Sequence, residues 1–328
     1  MNRHLTSILF PFEAERKKPV SVWRWFGLAT LILAFIAAGP SNAQAQKPPV
    51  TATDSEAAAP ASATNRPWGR IVMIGASMTA GFTIKEPFGG TNTPHFRLSR
   101  YVDAAVASPH EKVRNLGFAG FFLQPGAAGK RQVDQALKAQ PTLLIGGDFL
   151  FWFCYGQMRT NEDRLQRFET GLKLIENVSC PFLLGDIPDA SAARGGILST
   201  NEIPPPAIID AANQRLRAWA ASRTNVVIMP VASFMRAAMA NQRITVRGQT
   251  WPEGSTREFL QDDKLHPSAR GCALLALAML DTFQSRPAPA NGEIRWNIEE
   301  VFRLGFNPPP KPESGEGGKI NSPTPGRQ

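Results

Sequence analysis

Residues 71–82 read IVMIGASMTAGF. The apolar run Ile71 to Ile74 meets Gly75 without a polar break, and Ser77 follows among small residues. A strand with one wet face alternates apolar and polar residues, whereas a continuous apolar run marks a strand covered on both faces. Such cover comes from helices on either side of a parallel sheet. The stretch therefore predicts an α/β fold, with Ser77 at the carboxyl end of the first strand, where sites in such folds lie.

The rest of the chain keeps the alternation. Apolar runs at 111–117 (EKVRNLG), 141–153 (PTLLIGGDFLFWF), 180–188 (CPFLLGDIP) and 225–232 (NVVIMPVA) read as four more strands. Helical spacing appears at 93–109, 126–140, 161–178 with Asn161 as cap, 205–223 with proline at its start, and 268–283. The expected class is α/β, a three-layer α/β/α sandwich around a flavodoxin-like five-stranded parallel sheet. Ser77, Asn115, Gly117, Gly120, Asp148 and Asp186 then fall at strand ends.

The chain has 328 residues, and three segments stand outside this pattern. Arg16, Lys17, Lys18 and Arg24 precede the apolar run 26–38, and Ala43 and Ala45 follow in an A-x-A-like site. Residues 1–45 thus read as a signal peptide, with an uncleaved inner-membrane anchor as the alternative. Residues 46–66, rich in Ala, Pro, Thr and Ser, read as a flexible linker. Residues 288–328 read as a C-terminal extension, disordered by composition from about 308. One globular body, 67–287, remains, expected in the periplasm or secreted.

The net charge is +9; removing the five basic and two acidic residues of 1–45 leaves +6. The basic residues are scattered, without a Lys/Arg block, which argues against a nucleic-acid partner. A membrane enters only if the first segment stays uncleaved. Cys154, Cys180 and Cys272 match no metal motif and allow one disulfide at most. No cofactor or metal is expected. GASMTAG lacks the G-K-[ST] of a phosphate loop and the second glycine of G-x-S-x-G.

A serine hydroxyl attacks carbonyls only when a base takes its proton, and histidine is the usual base. The four histidines are His4, His95, His110 and His266. His4 falls in the signal segment. His95 and His110 have only Glu111 beside them, whereas His266 sits in QDDKLHPSARG, with Asp262 and Asp263 four and three residues before it. A loop carboxylate at the three-residue spacing reaches back to Nδ1, fixes the tautomer and stabilises the imidazolium. Serine after the first strand and D-x-x-H before the last helix make a candidate triad of Ser77, His266 and Asp263.

These blocks resemble, in order, those of the SGNH hydrolases, also called GDSL esterases or lipases. Gly75-Ala76-Ser77 is similar to the nucleophile block, NLGFAG (115–120) to the second, Gly146-Gly147-Asp148-Phe149 to the G-x-N-D block, and Asp263, His266 and Pro267 to D-x-x-H-P. The resemblance spans about 70–283. It implies a hydrolase of carboxylic esters working through an acyl-enzyme; the export expected from residues 1–45 adds a small-molecule, glycan or lipid ester as the substrate. It also implies an oxyanion hole of the Ser77 and Gly120 amides and residue 148. Two positions depart from the pattern: alanine replaces aspartate at 76, and aspartate replaces asparagine at 148. Asp148 donates to an oxyanion only if protonated, as an apolar site such as FLFWF allows; otherwise it points elsewhere and the hole is built of amides. Acyl transfer to a glycan on the same triad, and a binding module with little catalysis, remain as alternatives.

Overall fold

The computed structural model describes residues 67–87, 89–286 and 292–307. The expected signal segment, the linker and the tail from 308 lie outside the described residues. The chain runs β1 (Ile71–Met73), α1 (Ser77–Ala80), α2 (Leu98–Ala105), β2 (Arg114–Asn115), α3 (Pro125–Lys138), β3 (Leu143–Gly146), α4 (Phe151–Cys154) and α5 (Asn161–Leu174). It continues through β4 (Phe182–Gly185), α6 (Pro206–Ala221), β5 (Val226–Met229), α7 (Val231–Met239), β6 (Ile244–Val246), β7 (Gln249–Trp251), α8 (Ala269–Gln284) and α9 (Ile298–Phe306).

The first five strands form one parallel sheet in the order β2-β1-β3-β4-β5. The continuous apolar runs are explained by two cores. Ile71, Met73, Leu143, Ile145 and Leu183 pack with residues of α2, α8 and α9. Their neighbours Val72, Ile74, Leu144, Phe182 and Leu184 pack on the other face with residues of α3, α4, α5 and α6. Successive strand side chains point to opposite faces, so neither phase of the alternation is free to be polar. The expected three-layer sandwich and flavodoxin-like sheet are what the structure has.

The chain leaves β1 for one edge of the sheet and returns through β3 on the other side of β1. The order reverses between these two strands, and a crevice opens there at their carboxyl ends. Ser77 follows β1, and Asp148 follows β3.

Several local expectations change. The run 225–232 ends as a strand at Met229, because Pro230 has no amide for the ladder and instead precedes α7. The cap of α5 is Thr160: its hydroxyl accepts from the Asp163 amide, and the Asp163 carboxylate accepts from the Thr160 amide. Cys154, Cys180 and Cys272 are all free thiols. In the expected extension, α9 is part of the body: Ile298 and Val301 are buried in the core shared with α2 and α8.

Candidate active site

Ser77 is the first residue of α1, and the turn before it is held from three directions. Gln132 on α3 grips Gly75 twice: its Oε1 accepts from the Gly75 amide and its Nε2 donates to the Gly75 carbonyl, both at 2.8 Å. Asn115, at the end of β2, donates to the Thr79 carbonyl at 2.8 Å. Asp148 reaches across from β3. Its Oδ2 accepts from the amides of Met78 (2.9 Å) and Thr79 (3.3 Å), and its Oδ1 accepts from the Thr79 hydroxyl at 2.6 Å. The Ala76 amide also hydrogen-bonds to this carboxylate. Gly75 has φ +154°, and a Cβ there would lie 2.0 Å from Asp148 Oδ1. Glycine is therefore what lets the carboxylate under the turn.

His266 comes from the loop before α8. Its Nε2 lies 2.8 Å from Ser77 Oγ, and its Nδ1 lies 2.7 Å from Asp263 Oδ2. The other oxygen of Asp263 accepts from the amides of His266 (2.9 Å) and Leu265 (3.0 Å). The loop doubles back because Lys264 takes a left-handed conformation, φ +60°, and its amide closes on Gln261 at 3.1 Å. Burial pushes the Asp263 carboxyl up, but hydrogen bonding and charge from His266, with the two amides, outweigh it and hold the group below the usual carboxylate range. Asp262 is exposed, so the three-residue spacing selects the partner.

Two further residues set the imidazole. The Phe82 ring lies tilted on it with centroids 4.4 Å apart. Gln261 donates to the carbonyls of Phe82 and Pro267, each at 2.9 Å, while its own amide bonds to the His266 carbonyl at 2.8 Å. The loop after the nucleophile and the loop carrying the base are thus tied together.

The site corrects the reading of Asp148 as a protonated oxyanion donor. Its oxygens face amides and a hydroxyl at the base of the turn, so the side chain works as an acceptor. Burial pushes its pKa up, opposed by the hydrogen bonds from Thr79, Ala76 and Met78. The second expectation, a hole made of amides, fits this geometry. Asp148 takes the Ala76, Met78 and Thr79 amides; the Ser77 amide has no hydrogen-bond partner among the described residues. Gly120 lies in the turn Ala119–Leu123, which packs against α1, and its amide likewise has no partner among the described residues.

The other conspicuous residues have structural places. Asp186 accepts from the Ala232 amide at 2.7 Å, and Asp189 from the Ser191 amide at 2.8 Å. Of FLFWFCYG, Phe149, Leu150, Phe153 and Tyr155 are core, and Phe151 reaches the cavity beside Ser77. His95 bonds the Phe306 carbonyl, and His110 faces Asp103. No group of side chains among the described residues could hold a metal ion.

Gln132, Phe82 and Gln261 were not read from the sequence. Gln132 left one signal, a polar residue on the apolar face of an amphipathic helix; the other two left none.

The parallel sheet, with serine, histidine and aspartate in hydrogen-bonded sequence at its carboxyl edge, defines the class: a three-layer α/β/α protein with the geometry of a serine hydrolase. No family model and no curated protein sequence matches the chain. Solved structures do resemble it. A lipase/acylhydrolase from Enterococcus faecalis shares 21% identity, over 68% of this chain and 100% of that one, with a TM-score of 0.46. TesA shares 16% identity over 66% and 98%, with a TM-score of 0.39. The psychrotrophic esterase EstA from Pseudoalteromonas sp. shares 15% over 65% and 96%, with a TM-score of 0.38.

Proposed function

We propose that this chain is a serine hydrolase of carboxylic esters, of the SGNH kind its sequence blocks resemble. The supporting observation is the unbroken line from Ser77 Oγ to His266 Nε2 at 2.8 Å and from His266 Nδ1 to Asp263 at 2.7 Å. Nucleophile, base and orienting carboxylate stand within hydrogen-bond reach of one another. Ser77 and His266 both line one cavity.

Ser77 Oγ bonds to the ester carbonyl carbon as its proton passes to Nε2, and the carbonyl electron pair moves onto oxygen. The Ser77 and Gly120 amides receive that oxyanion. Asp263 stabilises the imidazolium. The carbon–oxygen bond to the alcohol then breaks, and Nε2 returns the proton to the departing oxygen. Water repeats the cycle on the acyl-enzyme, releasing the carboxylic acid and restoring the Ser77 hydroxyl. Loss of one oxyanion donor costs about 10²–10³-fold in rate. Without an amide side chain at position 148, turnover is expected to be slow by that margin.

A fluorophosphonate probe tests the reading directly. It should label Ser77, and Ser77→Ala should lose both labelling and turnover of p-nitrophenyl acetate. A folded Ser77→Ala variant that keeps most of its turnover would refute the assignment.

A further inference from the structure

The cavity holding Ser77 and His266 measures about 480 Å³, counting space open to solvent. A second cleft, about 490 Å³ on the same measure, lies between α7, the loop before α8, α8 and β6. Met78, Val231, Met235 and Leu265 line both. These four side chains are therefore a partition between two neighbouring spaces. Its face toward the first cavity adjoins the nucleophile, since Met78 follows Ser77 directly and Leu265 precedes His266.

The two spaces differ in chemistry. The first is lined in part by polar residues, Ser77, Asp148, Asp186 and His266. The second has no polar side chain on its walls; beyond the partition it is lined by residues such as Phe234, Ala238, Ile244, Phe259 and Leu274. It offers no side-chain partner to a sugar hydroxyl or a charged group, and a ligand's polar groups would lose their water there without replacement. An alkyl chain loses nothing polar and gains apolar contact. The partition suits entry, because methionine is unbranched and re-packs easily.

We propose that the second cleft receives the acyl chain of the substrate, so that the esters cleaved are those of aliphatic acids long enough to pass the partition. The proposal rests on the reading of Ser77 as an ester-cleaving nucleophile and adds the substrate class. The short acyl carbons occupy the cavity at Ser77, and the rest of the chain passes between Met78 and Leu265.

The test is a chain-length series of p-nitrophenyl esters, acetyl to decanoyl, at monomeric concentrations with the folded protein. Once the chain passes butyryl, kcat/KM should rise by about fourfold per added methylene until the cleft is full. Ala238→Phe fills the cleft from α7 and should lower the octanoyl-to-acetyl ratio of kcat/KM at least tenfold. Ile244→Phe, from β6, serves the same purpose if the first variant does not fold. A wild-type profile that is flat or falls beyond butyryl overturns the proposal, as does a rise that survives in a folded, filled variant. Failure of the underlying reading looks different: no fluorophosphonate labelling of Ser77 and no turnover of any ester in the series.

Discussion

Gln132→Leu removes the grip on Gly75 without changing the helix that carries it. Leucine is close to glutamine in size and is a good helix former. The Gly75 carbonyl keeps one partner, the Phe118 amide at 3.1 Å. The Gly75 amide loses its only acceptor in a fully protein-lined place, where Gln132 itself is 3% exposed. An unpaired buried donor costs about 1–3 kcal/mol. For a body of this size that is about 3–10 °C in Tm. The kinetic effect should exceed the thermal one in importance, since Gly75 is two residues from the nucleophile. Displacing a reacting group by about 1 Å can cost ~10²-fold. Thermal melts and kcat/KM on p-nitrophenyl acetate measure both. Gln135→Leu, the same change at an exposed position of α3, is the control and should leave both near wild type. If Gln132→Leu matches this control in Tm and in kcat/KM, the clamp has no role in holding the nucleophile turn.

Asp148→Ala leaves the Met78 and Thr79 amides without their acceptor and should cost about 2–6 kcal/mol, with activity falling alongside; Asp148→Asn keeps one acceptor oxygen and should stay within about tenfold in kcat by the same accounting. A loss beyond a hundredfold in a stable Asn variant would return Asp148 to the chemistry. Asp263→Asn should lower kcat by about 10⁴-fold, because the wrong histidine tautomer is favoured, while Asp262→Asn should leave kcat unchanged; equal losses reverse the assignment. Away from the site, His110 Nδ1 lies 2.7 Å from the Ser108 carbonyl and Nε2 lies 3.4 Å from Asp103, an arrangement that only the protonated ring satisfies in full. Hydrogen bonding to Asp103 raises the His110 pKa, so its stabilising share is complete below the free-histidine value and fades as pH climbs through the raised one. Asp103, despite burial, is held low by His110 and the Val113 amide, so its share fades in acid. The Tm difference between wild type and His110→Gln should therefore be larger near pH 6 than near pH 9; a constant difference contradicts the pair. If residues 1–45 act as a signal peptide, mass spectrometry of the chain recovered from cells should find a mature N-terminus near Gln46, and a chain retaining residues 26–38 indicates an anchor instead.

Much of this was legible in the sequence alone. The run Ile71 to Ile74 specified a doubly covered strand because burial on both faces leaves no position for a polar residue. The three-residue spacing selected Asp263 because a loop that short can present a carboxylate to its own histidine. What stayed hidden was direction. Whether Asp148 faced the substrate or the turn depended on φ at Gly75 and on space that only a glycine there leaves open. Helix α7 was hidden because apolar character continues across Pro230. The β6–β7 hairpin was hidden because its turn, Arg247-Gly248, places an ordinary residue at positive φ in place of the usual Asn or Asp. The Asn297 cap of α9, three residues before Glu300, was present in the sequence beyond a proline-rich stretch that read as the end of the body.

The anchoring of the nucleophile turn by Asp148 has a consequence for how such a site can change over time. The family pattern carries aspartate in the first block and asparagine in the third; this chain has alanine at 76 and aspartate at 148. Ala76 is 1% exposed, and its amide is among those the Asp148 carboxylate holds. Adding an aspartate at 76 alone would crowd two carboxylates into one enclosed turn, where like charges repel. Replacing Asp148 alone weakens the one acid that, among the described residues, gathers the amides around Ser77. Neither single change leaves the turn as it is, so the two positions are expected to change as a pair, and a search that scores each block separately will count as two defects what is one exchange.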